Sequence, residues 1–261
     1  MIIVTLNAGD NLKTTVYSVL SQTMKDYEIL IKDGGSTDGC LDFINDLEDD
    51  RIRVVAKPDT SIYDGMNHAV KEARGDYFIF MNAGDVFADN KVLVSVTKFL
   101  TVGRYNIVYG DMRRKGQDTI IPYPDKLTDF GLFRNVPCHQ VCFYDRKLFA
   151  KRGYSLKLKV RSDYEHFLWC IYKEKAVTGH INRPICIYEG GGFSETDENI
   201  AISKMEHRII TDRYQGRKAG LYRLIMIITL QPVREKIAAN QKLSGIYQGL
   251  KKLIYSKSAP N

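Results

Sequence analysis

Three short polar clusters in this chain place acids and small turn-forming residues where apolar runs stop. Asn7-Ala8-Gly9-Asp10 follows the run Ile2 to Leu6, Asp33-Gly34-Gly35-Ser36-Thr37-Asp38-Gly39 follows Glu28 to Lys32, and Asn82-Ala83-Gly84-Asp85 follows Tyr77 to Met81. A carboxylate at the glycine-rich turn accepts a hydrogen bond from a base N–H, as uracil N3 requires, whereas it repels phosphate. The same residues serve equally as turn formers, with Asp38 or Thr37 capping the next helix. Thr5 and Asn7, at the end of the first run, carry the same two readings. Asp85 stands where a buried strand meets solvent. A magnesium or manganese ion bridging two phosphates needs only one or two protein carboxylates, because the diphosphate and water fill its other sites. Asp85 supplies one, although Asp after a strand is also common without a ligand. Farther on, Arg161-Ser162-Asp163-Tyr164-Glu165-His166-Phe167-Leu168 opens a segment with Tyr164, Phe167, Leu168 and Ile171 on one helical face. Ser162 and Glu165 fit a capping box, which leaves Asp163 in the first turn with its carboxylate free. A purely structural acid at a helix start has the same pattern.

Two further clusters are less specific. Val136-Pro137-Cys138-His139-Gln140 precedes the apolar Val141-Cys142-Phe143-Tyr144. A histidine before a strand is usually structural, and Cys138, His139 and Cys142 lack the fourth ligand of a zinc site. Gly190-Gly191-Gly192-Phe193-Ser194 reads as a flexible loop or a plain connection.

These residues need a scaffold, and the chain has the rhythm of one. Strand-length apolar runs (Ile2 to Leu6, Glu28 to Lys32, Ile52 to Ala56, Tyr77 to Met81) alternate with helical spacings (Leu12/Val16/Val19/Leu20, Leu41/Ile44/Leu47, Met66/Ala69/Val70/Ala73). That alternation predicts a Rossmann-like α/β fold, a mostly parallel sheet with flanking crossover helices. In such a sheet ligands bind at the carboxyl ends of the strands, where the polar clusters fall. Stretches around Pro122-Tyr123-Pro124 and Val136-Pro137 read as loops, so one continuous domain is expected over residues 1–214, with a basic helical tail over 215–261.

The succession Thr5-Leu6-Asn7, Asp33 to Gly39, Ile62-Tyr63-Asp64-Gly65-Met66-Asn67 and Phe80-Met81-Asn82-Ala83-Gly84-Asp85 resembles family 2 of the glycosyltransferases, which has the GT-A fold. Within that family it is similar to bacterial exopolysaccharide enzymes of the colanic acid and capsule type. The resemblance covers about residues 1–210, and four motifs in order are more specific than any one. It implies an inverting, metal-dependent enzyme that moves a sugar from a nucleotide-diphosphate sugar, a UDP-sugar by expectation, to a saccharide or polyprenyl-linked acceptor. It further implies that Thr5, Asn7 and Asp33 line the nucleoside and that Asp64 and Asn67 lie along the nucleotide sugar. Asp85 is then the Mn2+- or Mg2+-binding end of a DxD-like motif, Asp163 the catalytic base, and Asn82, His139 and Gln140 part of the donor and acceptor pocket. As base, Asp163 takes a proton from an acceptor hydroxyl attacking the anomeric carbon in line, and a helix N-terminus keeps it ionised. Asn82 stands where many members have Asp and Met66 where many have Arg, choices the narrower group shares.

Rival classes have weaker support. A sugar nucleotidyltransferase needs a glycine-rich phosphate loop after the first strand, and Thr5-Leu6-Asn7-Ala8-Gly9 is not one. A non-catalytic nucleotide-sugar-binding or membrane scaffold protein remains the alternative from another class. A nucleic-acid binder would suit the charge, 38 Lys and Arg against 31 acids, yet the basic residues are not interleaved with a stacking platform, and no nucleic acid is expected.

The basic excess grows after residue 200, and there Gly220 to Leu230 is apolar but well short of the roughly 20 residues a spanning helix needs. Ile237, Leu243, Ile246, Leu250, Leu253 and Ile254 then recur at helical spacing among lysines. The pairing suggests a tail lying on an anionic inner-membrane surface, or else helices packed on protein. Met1-Ile2-Ile3-Val4 is too short for a signal-peptide core, so the protein is expected to be cytoplasmic and peripheral to the membrane. Five cysteines without a CxxC pair suggest reduced thiols, mostly in the core.

Overall fold

The computed structural model describes residues 1–117, 119–190 and 195–229. Its first part follows the alternation: β1 (Ile2–Thr5), α1 (Asp10–Leu20), β2 (Ile29–Asp33), β3 (Ile52–Ala56) and α2 (Ile62–Glu72). After α2 come β4 (Tyr77–Phe78), β5 (Phe80–Asn82), β6 (Val86–Phe87) and α3 (Val92–Val102). Strands β3, β2, β1 and β5 form one sheet in that order, every pair parallel. A parallel sheet covered on both faces calls for continuous apolar strands, and Ile2, Ile3, Ile29, Leu30 and Ile31 are all 1% exposed or less.

The register fixes the working edge. Thr5 pairs with Asp33 and Val4 with Asn82, so the carboxyl ends of β1, β2 and β5 finish level with one another.

Two expectations are corrected here. Leu41, Ile44 and Leu47 do not build a helix; Asp42–Ile44 is a single 3-10 turn without a buried residue. Three apolar positions separated by Asp and Asn give too narrow a stripe to hold a helix on the sheet. The run Tyr77 to Met81 is not one strand either, because β4 pairs antiparallel in a second sheet while β5 stays in the first.

That second sheet is built by later elements: β7 (Ile107–Arg114), β8 (Ile120–Ile121), α4 (Asp129–Arg134), β9 (Cys142–Asp145), α5 (Arg146–Lys151), α6 (Ser162–Tyr172) and β10 (Thr178–Tyr188). Its order is β4-β9-β7-β10-β6, with β8 on β7. Only β10 and β7 run parallel there; the remaining pairs are antiparallel. The chain ends its described part with α7 (Asp197–Gln215) and α8 (Arg217–Ile228). Two compact units divide at residue 210, Met1–Ile210 and Thr211–Asn261.

All five cysteines are free, and Cys40, Cys142, Cys170 and Cys186 are buried. No helix among the described residues is long and apolar enough to cross a membrane. The expected amphipathic helix from Ile237 to Ile254 and the glycine loop from Gly191 to Ser194 lie outside the described residues.

Candidate active site

The loops after β1 and β2 interlock. Asn7 has φ 50°, a left-handed conformation that Asn tolerates better than most residues. Its N–H donates to Ser36 Oγ (2.8 Å), and its Oδ1 accepts from the Thr37 N–H (2.9 Å). Gly9 N–H donates to Asp38 (2.8 Å), so Asp38 ties the two loops together and does not cap a following helix. Asp33 is 2% exposed and accepts from Gly35 N–H, Ser36 N–H and the Ser36 hydroxyl. It therefore shapes the turn from inside the site edge. Thr5, 4% exposed, keeps a buried hydroxyl with no hydrogen-bond partner.

Beneath this turn sits a charge network the sequence did not advertise. Lys32 on β2 is completely buried, which requires a partner, and its ammonium meets Asp59 at 2.6 Å and the Asp33 carbonyl at 2.9 Å. Asp59 also contacts His68 Nδ1 at 2.8 Å. The ligand atoms of Asp59, Asp64 and His68 lie within 4.8 Å of one another, but the Lys32 ammonium already neutralises Asp59. Gly65 is needed here, since a Cβ would lie 2.9 Å from both Asp59 Oδ2 and Val4 Cγ1.

Two residues expected along the nucleotide sugar are committed to local structure. Asp64 sits in the first turn of α2, where it accepts from Thr60 N–H and Thr60 Oγ1, each at 2.9 Å, while Ser61 caps the helix. Asn67 accepts from Tyr154 N–H (2.7 Å) and donates to the Tyr154 carbonyl (2.9 Å). A second N–H and a second lone pair of the Asn67 amide remain beyond these two hydrogen bonds.

The acids at Asp85 and Asp163 are joined through adjacent residues. Gln140 Nε2 donates to Asp85 Oδ2 at 3.2 Å, and His139 Nδ1 lies 3.1 Å from Asp163 Oδ2. Asp85 is 1% exposed and also accepts from the N–H groups of Glu189 (3.0 Å) and Asn82 (3.3 Å). Burial pushes its carboxyl above the ordinary range, with these bonds opposing it only in part. A divalent cation fits such a carboxylate: it removes the cost of the buried charge and demands oxygen ligands. Asn82 Oδ1 is buried without a hydrogen-bond partner and offers a second oxygen on the same turn.

Asp163 occupies the first turn of α6, but the capping box expected there does not form. The Ser162 hydroxyl donates instead to the Ser155 carbonyl (2.9 Å), and Glu165 pairs with Arg152. Nor is Asp163 free. It accepts from its neighbour Tyr164 N–H (2.8 Å) and from the Tyr63 hydroxyl (3.0 Å), besides its contact with His139. Burial would raise its pKa, but the His139 contact, the Tyr164 N–H and the Tyr63 hydroxyl together bring it below the ordinary carboxylate range. The same carboxylate and burial push the Tyr63 hydroxyl far up, so Tyr63 stays a donor. The Asp163 side chain is 25% exposed and that of His139 12%. His139 Nε2 is buried without a partner. Asp163 is thus the more exposed member of the pair, and His139 holds it from one side. Tyr63 escaped the sequence reading although it adjoins Asp64, because its role depends on a partner 100 residues away.

Comparison with known proteins bears on the family and the fold. The profile of Glycosyl transferase family 2 matches residues 1–175. A PGL/p-HBAD biosynthesis glycosyltransferase of Mycobacterium bovis is 32% identical over 204 residues, covering 75% of this chain and 78% of the relative. Among solved structures, S. aureus TarS 1-349 in complex with UDP-GlcNAc superposes with a TM-score of 0.67 at 14% identity, over 85% of this chain and 69% of that one. The mannosyltransferase PcManGT from Pyrobaculum calidifontis, in complex with GDP-Man and Mn2+, gives 0.66 at 12% identity, over 97% and 84%. The two structures share the GT-A architecture of a parallel sheet with flanking helices, and the matched profile spans β1 through α6. With both sequence and fold in agreement, the chain belongs to glycosyl transferase family 2 and is a glycosyltransferase.

Proposed function

We propose that the protein transfers a sugar from a UDP-sugar to a saccharide or lipid-linked saccharide, with inversion, in the assembly of a bacterial surface polysaccharide or glycolipid. The observation that carries this reading is the His139-Gln140 pair, which ties the base Asp163 to the metal acid Asp85 through two adjacent side chains. One base facing one donor position supports a single displacement. The acceptor hydroxyl oxygen forms a bond to the anomeric carbon, the bond from that carbon to the diphosphate oxygen breaks, and the hydroxyl proton passes to Asp163.

Asp85, with Asn82 Oδ1, would hold Mn2+ or Mg2+, which when bound neutralises charge on the departing diphosphate. Asp33 and Thr5, paired at the level ends of β1 and β2, would line the nucleoside. A UDP-sugar is supported by the TarS complex with UDP-GlcNAc; the GDP-Man complex of PcManGT names the competing base. A glycolipid acceptor is supported by the relative's description as a PGL/p-HBAD biosynthesis glycosyltransferase. Placement on the inner face of the membrane is supported by α8, whose Leu221, Leu224, Ile227 and Ile228 are each more than half exposed.

The test is a donor panel: purified protein, bacterial membranes and Mn2+ with each of several UDP-, GDP- and dTDP-sugars, measuring released nucleoside diphosphate. Release from one UDP-sugar, lost on chelation, is expected. Release from a GDP-sugar alone would overturn the base assignment, and NMR of an α-donor's product should show a β linkage.

A further inference from the structure

Asp163 needs a rigid mount, and the capping box that would provide it is absent. The N-terminal end of α6 is preceded by three consecutive backbone N–H groups, those of Lys159, Val160 and Arg161, pointing at one carboxylate. Glu206 accepts all three, from Lys159 at 2.6 Å, Val160 at 3.0 Å and Arg161 at 2.8 Å. Glu206 is 4% exposed, so these bonds form away from competing water.

The peptide it grips also holds the tyrosine that contacts Asp163. Val160 donates its N–H to Glu206 while its carbonyl accepts from the Tyr63 hydroxyl, the same hydroxyl that reaches Asp163. Neighbouring contacts reinforce the grip. Arg161 Nε donates to the Ser203 carbonyl (3.0 Å) and to Ser203 Oγ (2.7 Å), and His207 Nε2 lies 2.7 Å from the Phe133 carbonyl, six residues before His139. A carboxylate at this point also suits the positive end of the α6 dipole.

We infer that Glu206, on α7 and beyond the residues matched by the family profile, is a positioning residue that anchors residues 159–161 at the entry to α6 and sets Asp163 against the reacting hydroxyl. The inference rests on Asp163 being the base. A carboxyl group displaced by about 1 Å loses up to about a hundredfold in rate without touching donor binding. Glu206 therefore acts on turnover and leaves the nucleoside side of the site, formed by the loops after β1 and β2, as it was.

The experiment compares full-length wild type with Glu206→Ala and Glu206→Gln, each also combined with Asp163→Asn. It measures kcat, donor KM, UDP affinity by calorimetry, and amide hydrogen exchange over residues 159–161. Glu206→Ala should lower kcat about 10- to 100-fold with UDP affinity unchanged within twofold. Glu206→Gln should recover part of that loss, since an amide oxygen still accepts from Val160 and Arg161. In the Asp163→Asn background, Glu206→Ala should have little further effect. Wild-type kcat in folded Glu206→Ala, or equal loss of turnover and UDP affinity, would overturn the inference. If Glu206→Ala does not fold, the Gln variant and exchange decide: unprotected Val160 and Arg161 amides in wild type also overturn it. Near-normal turnover in Asp163→Asn alone would instead remove the base assignment, so the two failures are distinguishable.

Discussion

Asp85 is buried and Asp163 partly exposed, and their surroundings push them in opposite directions, which sets what each substitution does. Asp163 gains more from His139, Tyr164 N–H and Tyr63 than burial costs it, so its folded pKa is depressed. Its carboxylate thus contributes stability above the unfolded value of about 3.9, lost as pH falls through the folded one. The same sign governs rate. The acid limb of kcat/KM should lie below about pH 3.9 if Asp163 is the base, and His139→Ala should move that limb upward. Asp163→Asn should lower turnover by about two to four orders of magnitude with UDP binding retained, and near-normal transfer would reject the role. Asp85 is the reverse case, raised chiefly by burial. Its contribution to stability is present below the unfolded pKa and is lost as pH rises through the folded one, so above that range the ionised group costs stability until a cation arrives. Asp85→Asn should raise the Tm of the metal-free protein at pH 7 and abolish the further rise that Mn2+ with UDP gives the wild type. A fall in the metal-free Tm would contradict this account.

Between α2 and the segment leading to α6, one polar clamp carries much of the geometry. Asn67 holds Tyr154 by its backbone, and the Tyr154 ring packs on Tyr63 (5.3 Å), Phe80 (5.5 Å) and Phe149 (5.1 Å). A Cβ on Gly153 would fall 2.4 Å from Asn67 Oδ1, so Gly153→Ala must displace the amide. It should destabilise by about 1–3 kcal/mol in urea unfolding, and much less in an Asn67→Ala background, because contacting residues are coupled. Equal effects in both backgrounds would show that the clash is relieved elsewhere. What the sequence disclosed follows the same division between local and distant causes. The parallel half was legible because β1, β2 and β3 are apolar runs bounded by turn residues, each beside its helix. The second sheet was not, since β7 pairs with β10 about 70 residues later and β4 with β9 across a similar distance, pairings no local period encodes. At the site, Asp33, Asp85, His139, Gln140 and Asp163 stood out as candidates because each falls in a short local motif. Lys32, Asp59, Tyr63 and Glu206 were invisible because each acts through a partner distant in the chain.

The 261 residues carry a net charge of +7, and the basic excess is concentrated toward the end of the chain. α8 puts Leu221 and Leu224 in water at 55% and 52% exposure, with Ile227 and Ile228 at 63% and 69%, alongside the cations Arg217 and Arg223. Arg223 is paired with Asp212 at 2.6 Å, so part of that charge is already answered within the second unit. An apolar strip of this kind with basic residues beside it suits the boundary between headgroups and acyl chains, and α8, at 12 residues, is far too short to cross. Each basic residue near an anionic surface contributes about 1 kcal/mol, so a few of them with several buried Leu and Ile side chains give reversible attachment. Flotation with vesicles containing phosphatidylglycerol checks this: the full chain should rise with them at low salt and much less at high salt, because screening weakens only the charged part. Protein ending at residue 214 should remain folded, bind UDP and stay at the bottom of the gradient. Full-length protein that ignores such vesicles, or a shortened protein that unfolds, would show that these helices pack on protein instead, and the acceptor would then have to be reached without a membrane-held enzyme.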